Sequence, residues 1–258
     1  MPNTKPFLVA VFSSIFLFSG CSNIENETKR SSDFSTEAIE AFYSIEVKEN
    51  NQVTYQANFA HDGSSLELEG GDEVFVAIGS ESLPLIESIS FGVASYRLNR
   101  TEEFEAGRYF FEFTRESQEN ADNSFVIVPE EFTLVTPLLV DSDYEPSDGQ
   151  TFAISWDAQG GVSADEEFTL RYDFDCRNDS GTPSISSSYV EKVEDDGAHT
   201  IDLAVVLGAG DYDQCSRFTI IAIRSNSDGN LDSALKSGST VGAQVRTIEG
   251  SLEALQLL

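Results

Sequence analysis

Gln52-Val-Thr-Tyr-Gln-Ala-Asn-Phe-Ala-His-Asp-Gly-Ser-Ser-Leu-Glu-Leu-Glu-Gly-Gly-Asp-Glu-Val-Phe-Val-Ala-Ile78 decides the fold class. Apolar and polar residues alternate through Gln52 to Phe59, and shorter apolar runs follow at Ser65 to Glu69 and Glu73 to Ile78. A period of two places one set of side chains on a buried face, which is the pattern of half-buried strands. Asp62-Gly63 and Gly70-Gly71-Asp72 fall between the runs and supply turns.

The same pattern extends in both directions. In the first half it predicts further strands at Ala38 to Val47, Ser95 to Leu98, Arg108 to Thr114, Ser124 to Val128 and Phe132 to Val135. In the second half it predicts Thr151 to Trp156, Glu167 to Phe174, Ser187 to Val193, His199 to Leu203, Arg217 to Arg224 and Thr240 to Thr247. No sustained helical period appears, so the chain is read as all-β. A strand roughly every ten residues suits sandwiches, and the length accommodates two in tandem. Their boundary is placed near Thr136-Pro137, where proline ends a ladder before the acidic turn Asp141 to Gly149. One large sandwich is the alternative.

The N-terminus carries a different signal. Lys5 precedes an apolar run from Pro6 to Phe18, then Ser19, Gly20 and Cys21. A positive start, a short apolar run and small residues before the break describe a secretory signal, and the run is shorter than the roughly 20 residues of a spanning helix. Phe18-Ser19-Gly20-Cys21 resembles the lipobox of bacterial lipoproteins, with Phe18 where that family prefers Leu. The resemblance implies cleavage before Cys21 and acylation of its thiol (diacylglycerol) and of its freed amine, typically with palmitate. Such chains anchor a protein without a transmembrane helix. Ser22 follows the cysteine, and in that family a residue other than Asp there directs sorting to the outer membrane, facing the periplasm or the surface.

The expected organisation is therefore a lipoprotein signal peptide over 1–20, a lipidated flexible tether over 21–37, a first β-sandwich over 38–136, a second over 137–250 and a C-terminal tail over 251–258. The tether is assigned because Ser22 to Thr36 is too poor in apolar residues to bury surface. Cys176 and Cys215 are the remaining cysteines, an even pair in a disulfide-permissive compartment, and are expected to join. The bridge would close a loop of about 40 residues, worth roughly 3 to 4 kcal/mol on the chain-entropy model.

Removing residues 1–20 leaves 14 basic against 45 acidic residues, a net charge of about −31. A surface so strongly acidic disfavours nucleic acid and anionic lipid, which need clustered Lys and Arg. The chain has only two histidines, His61 and His199, both beside turns, and neither a G-x-S-x-G elbow nor an H-E-x-x-H helix. No enzymatic activity is expected.

For metal, Asp141-Ser-Asp143-Tyr-Glu145 starts like an EF-hand loop but puts Pro146 where glycine is required. Asn226, Asp228, Asn230 and Asp232 alternate as oxygen ligands and are the weak candidates for Ca²⁺, although Ser-Asp-Gly-Asn also suffices as a turn. Glu194-Asp195-Asp196-Gly197 reads as a charged turn. Trp156, the single tryptophan, closes an alternating strand and is expected in the core.

Several phrases resemble an uncharacterised family of bacterial lipoproteins built from two immunoglobulin-like halves. They are residues 68 to 74 (LEGGDEV), 107 to 115 (GRYFFEFTR), 123 to 132 (NSFVIVPEEF), 152 to 156 (FAISW), Cys215 with 217 to 224 (RFTIIAIR), 228 to 232 (DGNLD) and 243 to 247 (AQVRT). The resemblance implies two tandem immunoglobulin- or fibronectin-III-like sandwiches and brings no activity or cofactor with it. Two functions are carried forward. One is a membrane-anchored, noncatalytic envelope lipoprotein that holds another envelope or extracellular protein. The other binds a glycan or other extracellular ligand, with calcium as an aid, for which Tyr96, Tyr109, Phe110 and Tyr172 are the available rings.

Overall fold

A computed structural model describes residues 29–48, 51–103, 105–135, 151–158, 166–177, 185–202, 205–206, 214–251 and 255–256. Among these residues the structure is almost entirely β. The first half contributes β1 (Lys29–Arg30), β2 (Glu40–Lys48), β3 (Gln52–His61), β4 (Ser64–Glu67), β5 (Glu73–Ile78), β6 (Glu81–Pro84), β7 (Ile86–Ser90), β8 (Val93–Thr101), β9 (Gly107–Thr114), β10 (Ala121–Val128) and β11 (Leu134–Val135). The second contributes β12 (Thr151–Trp156), β13 (Glu166–Arg177), β14 (Ile185–Val193), β15 (Ala198–Asp202), β16 (Gln214–Asn226), β17 (Gly229–Asn230), β18 (Thr240–Ser251) and β19 (Leu255–Gln256).

Alternation in sequence becomes alternation in burial. Ala41, Tyr43, Ile45 and Val47 of β2 and Val53, Tyr55, Ala57 and Phe59 of β3 are all buried. They face Val74 and Val76 of β5, Phe111 and Phe113 of β9, and Val126 and Val128 of β10, which belong to a second sheet ordered β17-β10-β9-β5-β6. Tyr43 stacks on Phe111 with centroids 4.7 Å apart, and Phe59 meets Phe113 at 4.5 Å. Each such side chain contributes about 1.5–3 kcal/mol by leaving water, and together they hold two sheets face to face. In the second half the sheet β11-β12-β15 packs Ile154, Trp156 and Ile201 against Phe168, Leu170 and Tyr172 of β13. Trp156 lies flat on Phe168 at 4.4 Å, in the core as its strand position predicts.

The two halves share one sheet. Its order is β1-β4-β3-β2-β18-β16-β13-β14, with β7, β8 and β19 attached. The seam is a parallel pairing of β2 with β18, from Phe42 opposite Thr240 to Val47 opposite Val245. Parallel neighbours need a long connection, and here it is most of the chain. The expected boundary at Thr136-Pro137 falls at residues outside those described, and strands on either side of it pair: Leu134 and Val135 of β11 lie opposite Trp156 and Ser155 of β12. The strand expected to end the first sandwich therefore belongs to a sheet made with β12 and β15 of the second half.

The segment expected as a tether is structured from Lys29 onward. β1 adds to β4, with Lys29 opposite Leu66. Two single 3₁₀ turns, Ser31–Asp33 and Thr36–Ala38, then follow. Composition gave no sign of this, because what holds the segment is a distant buried ion pair. Arg115 donates from Nη2 to the Ser31 carbonyl (2.7 Å) and from Nη1 to the Phe34 carbonyl (3.0 Å) and Thr36 Oγ1 (3.1 Å), while Nε bonds Asp72 (3.0 Å). Both members of the pair are shielded from solvent, so the remaining guanidinium donors have to be satisfied by protein, and the N-terminal carbonyls do this.

Candidate functional site

The proposed calcium ligands sit in the segment after β16, which reaches across to β10 of the first half. Asn226 ends β16, and its Oδ1 accepts from the Asp228 amide at 2.7 Å, an Asx turn. Gly229 and Asn230 then form β17, pairing with Val126 and Phe125 of β10. A Cβ at Gly229 would lie 2.5 Å from the Phe125 carbonyl oxygen and from a Val241 methyl, so the approach requires glycine. Asn230 donates from Nδ2 to the Asn123 carbonyl. Asp232 accepts from the Asn123 amide (2.9 Å) and Nδ2 (3.0 Å) on Oδ2 and from the Ala234 amide (2.9 Å) on Oδ1. Burial raises the Asp232 carboxyl, but the hydrogen bonds from Ala234 and Asn123 outweigh it and hold the group below the usual carboxylate range. Among the described residues no three His, Cys, Asp or Glu side chains gather as a metal site. The loop's polar atoms satisfy backbone and side-chain partners across the seam.

The charged turn after β14 has a comparable internal role. Asp195 accepts from Arg224 Nε (2.8 Å) and Nη2 (3.1 Å) and from the Trp156 indole (2.7 Å). Arg224 is fully buried, donates to the Glu130 and Asp157 carbonyls, and lies 4.8 Å over the Phe132 ring. The turn Asp141 to Gly149 lies outside the described residues, as does Cys21.

Both histidines have partners within the fold. His61 stacks on Phe34 at 4.0 Å, and its Nδ1 donates to the Ala38 carbonyl at 2.9 Å. His199 Nε2 shares Glu191 Oε1 with the Tyr172 hydroxyl, at 3.1 Å and 2.5 Å. Burial, and secondarily Glu191, push the Tyr172 phenol far above its ordinary value, so it acts as a fixed donor. Of the rings considered for sugar stacking, Tyr96 and Tyr172 are buried and Tyr109 is half-buried, while Phe110 keeps 42% of its surface exposed. They do not form an open platform. Cys176 and Cys215 are opposite each other in the β13–β16 register, next to a bulge at Asp175/Cys176.

The seam creates a feature that the sequence did not indicate. The registers align Thr54, Glu46, Gln244, Ser225 and Glu167 into one row across β3, β2, β18, β16 and β13. The adjacent row carries Gln56, Ser44 and Gly242. Gly242 has no side chain and nothing within 4 Å of where one would begin, so the sheet surface is hollowed there. The result is a groove of about 480 Å³ lined by hydroxyls, carboxamides and the carboxylates of Glu46 and Glu167. Its residues come from strands nearly 200 positions apart, and the only sequence trace is the polar side of each strand.

No protein-family model and no curated protein matches the chain. Among solved structures it is similar to trypsin-activated alpha-2-macroglobulin from Escherichia coli, 11% identical over 86% of this chain and 16% of that one, with a TM-score of 0.25. A DUF4785 family protein from Legionella pneumophila is 11% identical over 71% of this chain and 52% of that one, TM-score 0.26. The calcium binding domain CBD12 of CALX1.1 is 13% identical over 80% of this chain and 99% of that one, TM-score 0.17. The chain thus spans about one sixth of the macroglobulin's length and about half of the Legionella protein's. Likenesses at this level assign neither an activity nor a partner.

Proposed function

We propose that this chain is a lipid-anchored, noncatalytic lipoprotein of the bacterial envelope, with two immunoglobulin-like halves, that holds a partner protein on its seam. Lipid at Cys21 supplies the address, and a Cys176–Cys215 bridge staples β13 to β16. The observation that carries the reading is the seam groove, an open concavity on the shared sheet with polar groups converging from both halves. Glu46 and Glu167 are already ion-paired with Lys48 and Lys192, so it is the net charge of −30 that favours a partner segment with Lys or Arg side chains, while the groove's hydroxyls and carboxamides offer hydrogen bonds to its backbone. Glycan binding, with or without calcium, is the second reading. It is the weaker one because none of the described residues lining the groove carries an aromatic ring for a sugar to stack on.

A photo-crosslinking residue placed at Gln56 or Gln244 in intact cells tests this, with the same residue at Glu112 on the other sheet as control. A single protein captured from both groove positions and not from Glu112 supports the proposal. Equal capture from all three positions overturns it, and so does no capture together with retention on a glycan array.

A further inference from the structure

Ile86, Ile89, Phe91 and Val93 lie on the β7–β8 hairpin, exposed by 69%, 56%, 103% and 53%, with Ile89, Phe91 and Val93 at its turn end and Ile86 further back, opposite Arg97. The hairpin closes through a two-residue turn, Phe91-Gly92, with Ser90 opposite Val93 and φ of 51° and 77° at the two turn residues. Both positive angles identify a type I′ turn, where Asn, Asp or Gly is preferred at the first position. A fully exposed phenylalanine there adds backbone strain and gains no burial, so folding does not explain it.

Strand directions place this tip beside the start of the folded chain. β8 and β4 both run antiparallel to β3, and Ser65 of β4 is tied to Ala94 of β8, its Oγ accepting from the Ala94 amide at 3.1 Å. β1 runs parallel to β4, with Lys29 opposite Leu66. Lys29 is therefore about two strand spacings, roughly 10 Å, from Ala94, and the chain enters β1 from the end of the sandwich that carries the hairpin tip. Cys21 lies eight residues before Lys29, a reach of at most about 29 Å.

We propose that the hairpin tip is a membrane-docking surface that inserts Phe91, flanked by Ile89 and Val93, into the bilayer interface. This rests on the reading of Cys21 as lipid acceptor, because the anchor would hold the tip at the membrane. Lys29 and Arg30 lie at the same end, and the Glu87 carboxylate is turned back onto the Tyr96 hydroxyl at 2.8 Å. Three side chains at the tip are too few to provide the roughly 800 Å² per partner of a stable dimer, whereas a tethered tip needs only shallow insertion.

The test uses the full-length protein purified from membranes and reconstituted in phosphatidylethanolamine–phosphatidylcholine vesicles with brominated acyl chains, which quench nearby tryptophan. The native chain has one tryptophan, the buried Trp156, so Phe91→Trp adds a reporter at the tip. Expected is a loss of emission for Phe91→Trp that the native protein lacks, with a blue shift in unbrominated vesicles. Unchanged emission overturns the docking surface. The mass of the N-terminal peptide from the same preparation tests the anchor separately: quenching without lipid at Cys21 overturns the anchor and leaves docking standing. A dimer abolished by Phe91→Ser, or a protein crosslinked at Phe91, in either case without quenching, makes the occupant a second copy or a protein and overturns the proposal.

Discussion

Asp232 accepts two hydrogen bonds from Asn123, the backbone amide at 2.9 Å and the side-chain amide at 3.0 Å, across 109 positions of sequence. That contact fixes the loop after β16 to the β10 strand of the opposing sheet. It accounts for a carboxylate that, by spacing alone, resembles a cation ligand.

Replacing Asp232 with Ala should cost about 1–2 kcal/mol, since several charge-assisted bonds are lost at a half-exposed site. Its lowered carboxyl also gives a sign to the pH dependence. Stability from this group is complete above its unfolded value near 3.9 and disappears as pH falls through the lower folded value. Urea melts of native and Asp232→Ala protein should therefore differ at pH 6 and converge in strong acid. Millimolar Ca²⁺ should leave the native midpoint unchanged; a rise would return the loop to the metal readings.

Gly229→Ala is expected to destabilise by about 1–3 kcal/mol through overpacking, because its methyl would meet the Phe125 carbonyl and Val241. Thermal unfolding measures the loss. Hydrogen exchange should rise first at the Phe125–Val126 pairing with β17.

Arg115→Ala should cost about 3–5 kcal/mol, since it leaves Asp72 buried and without its counter-charge. Limited proteolysis provides the specific readout. Cleavage should appear between Lys29 and Ile39, whose turns Arg115 holds, before the rest of the first half opens.

If Cys176 and Cys215 are joined, nonreducing peptide mapping finds their peptides linked, and reduction lowers stability by about 3 kcal/mol. Directly opposed positions on antiparallel strands are within the Cα range of disulfides. Two free thiols in oxidised material would remove the staple.

Phe91→Asn should stabilise the isolated protein by about 1 kcal/mol, because asparagine tolerates the positive φ at that position. The chemical-denaturation midpoint checks this. A stability gain on removing the ring would mark a residue kept at a cost to folding.

Much of the β architecture was legible in sequence because a half-buried strand writes its burial every second residue. β2, β3, β5, β9 and β10 lie where alternation placed them, and Trp156 is in the core. β7 was missed for the same physical reason: all five of its residues are exposed, so it has no buried set to alternate with a polar one. β17 spans two residues and is held by a neighbour, which leaves no local pattern to read.

Local periodicity and turn chemistry thus determined the fold class, most strand positions and the residues that fill the core. Tertiary structure alone decided that β18 closes against β2, that Arg115 and Arg224 each satisfy a buried aspartate, that the 226–232 loop stitches two sheets and that a polar groove opens at the seam. Each of these depends on pairing between residues about 30 to 200 positions apart. Sequence encodes which face of a strand is apolar through the covalent alternation of its side chains, but the choice of neighbouring strand is set by packing and backbone hydrogen bonding that exist only once the sheets have met.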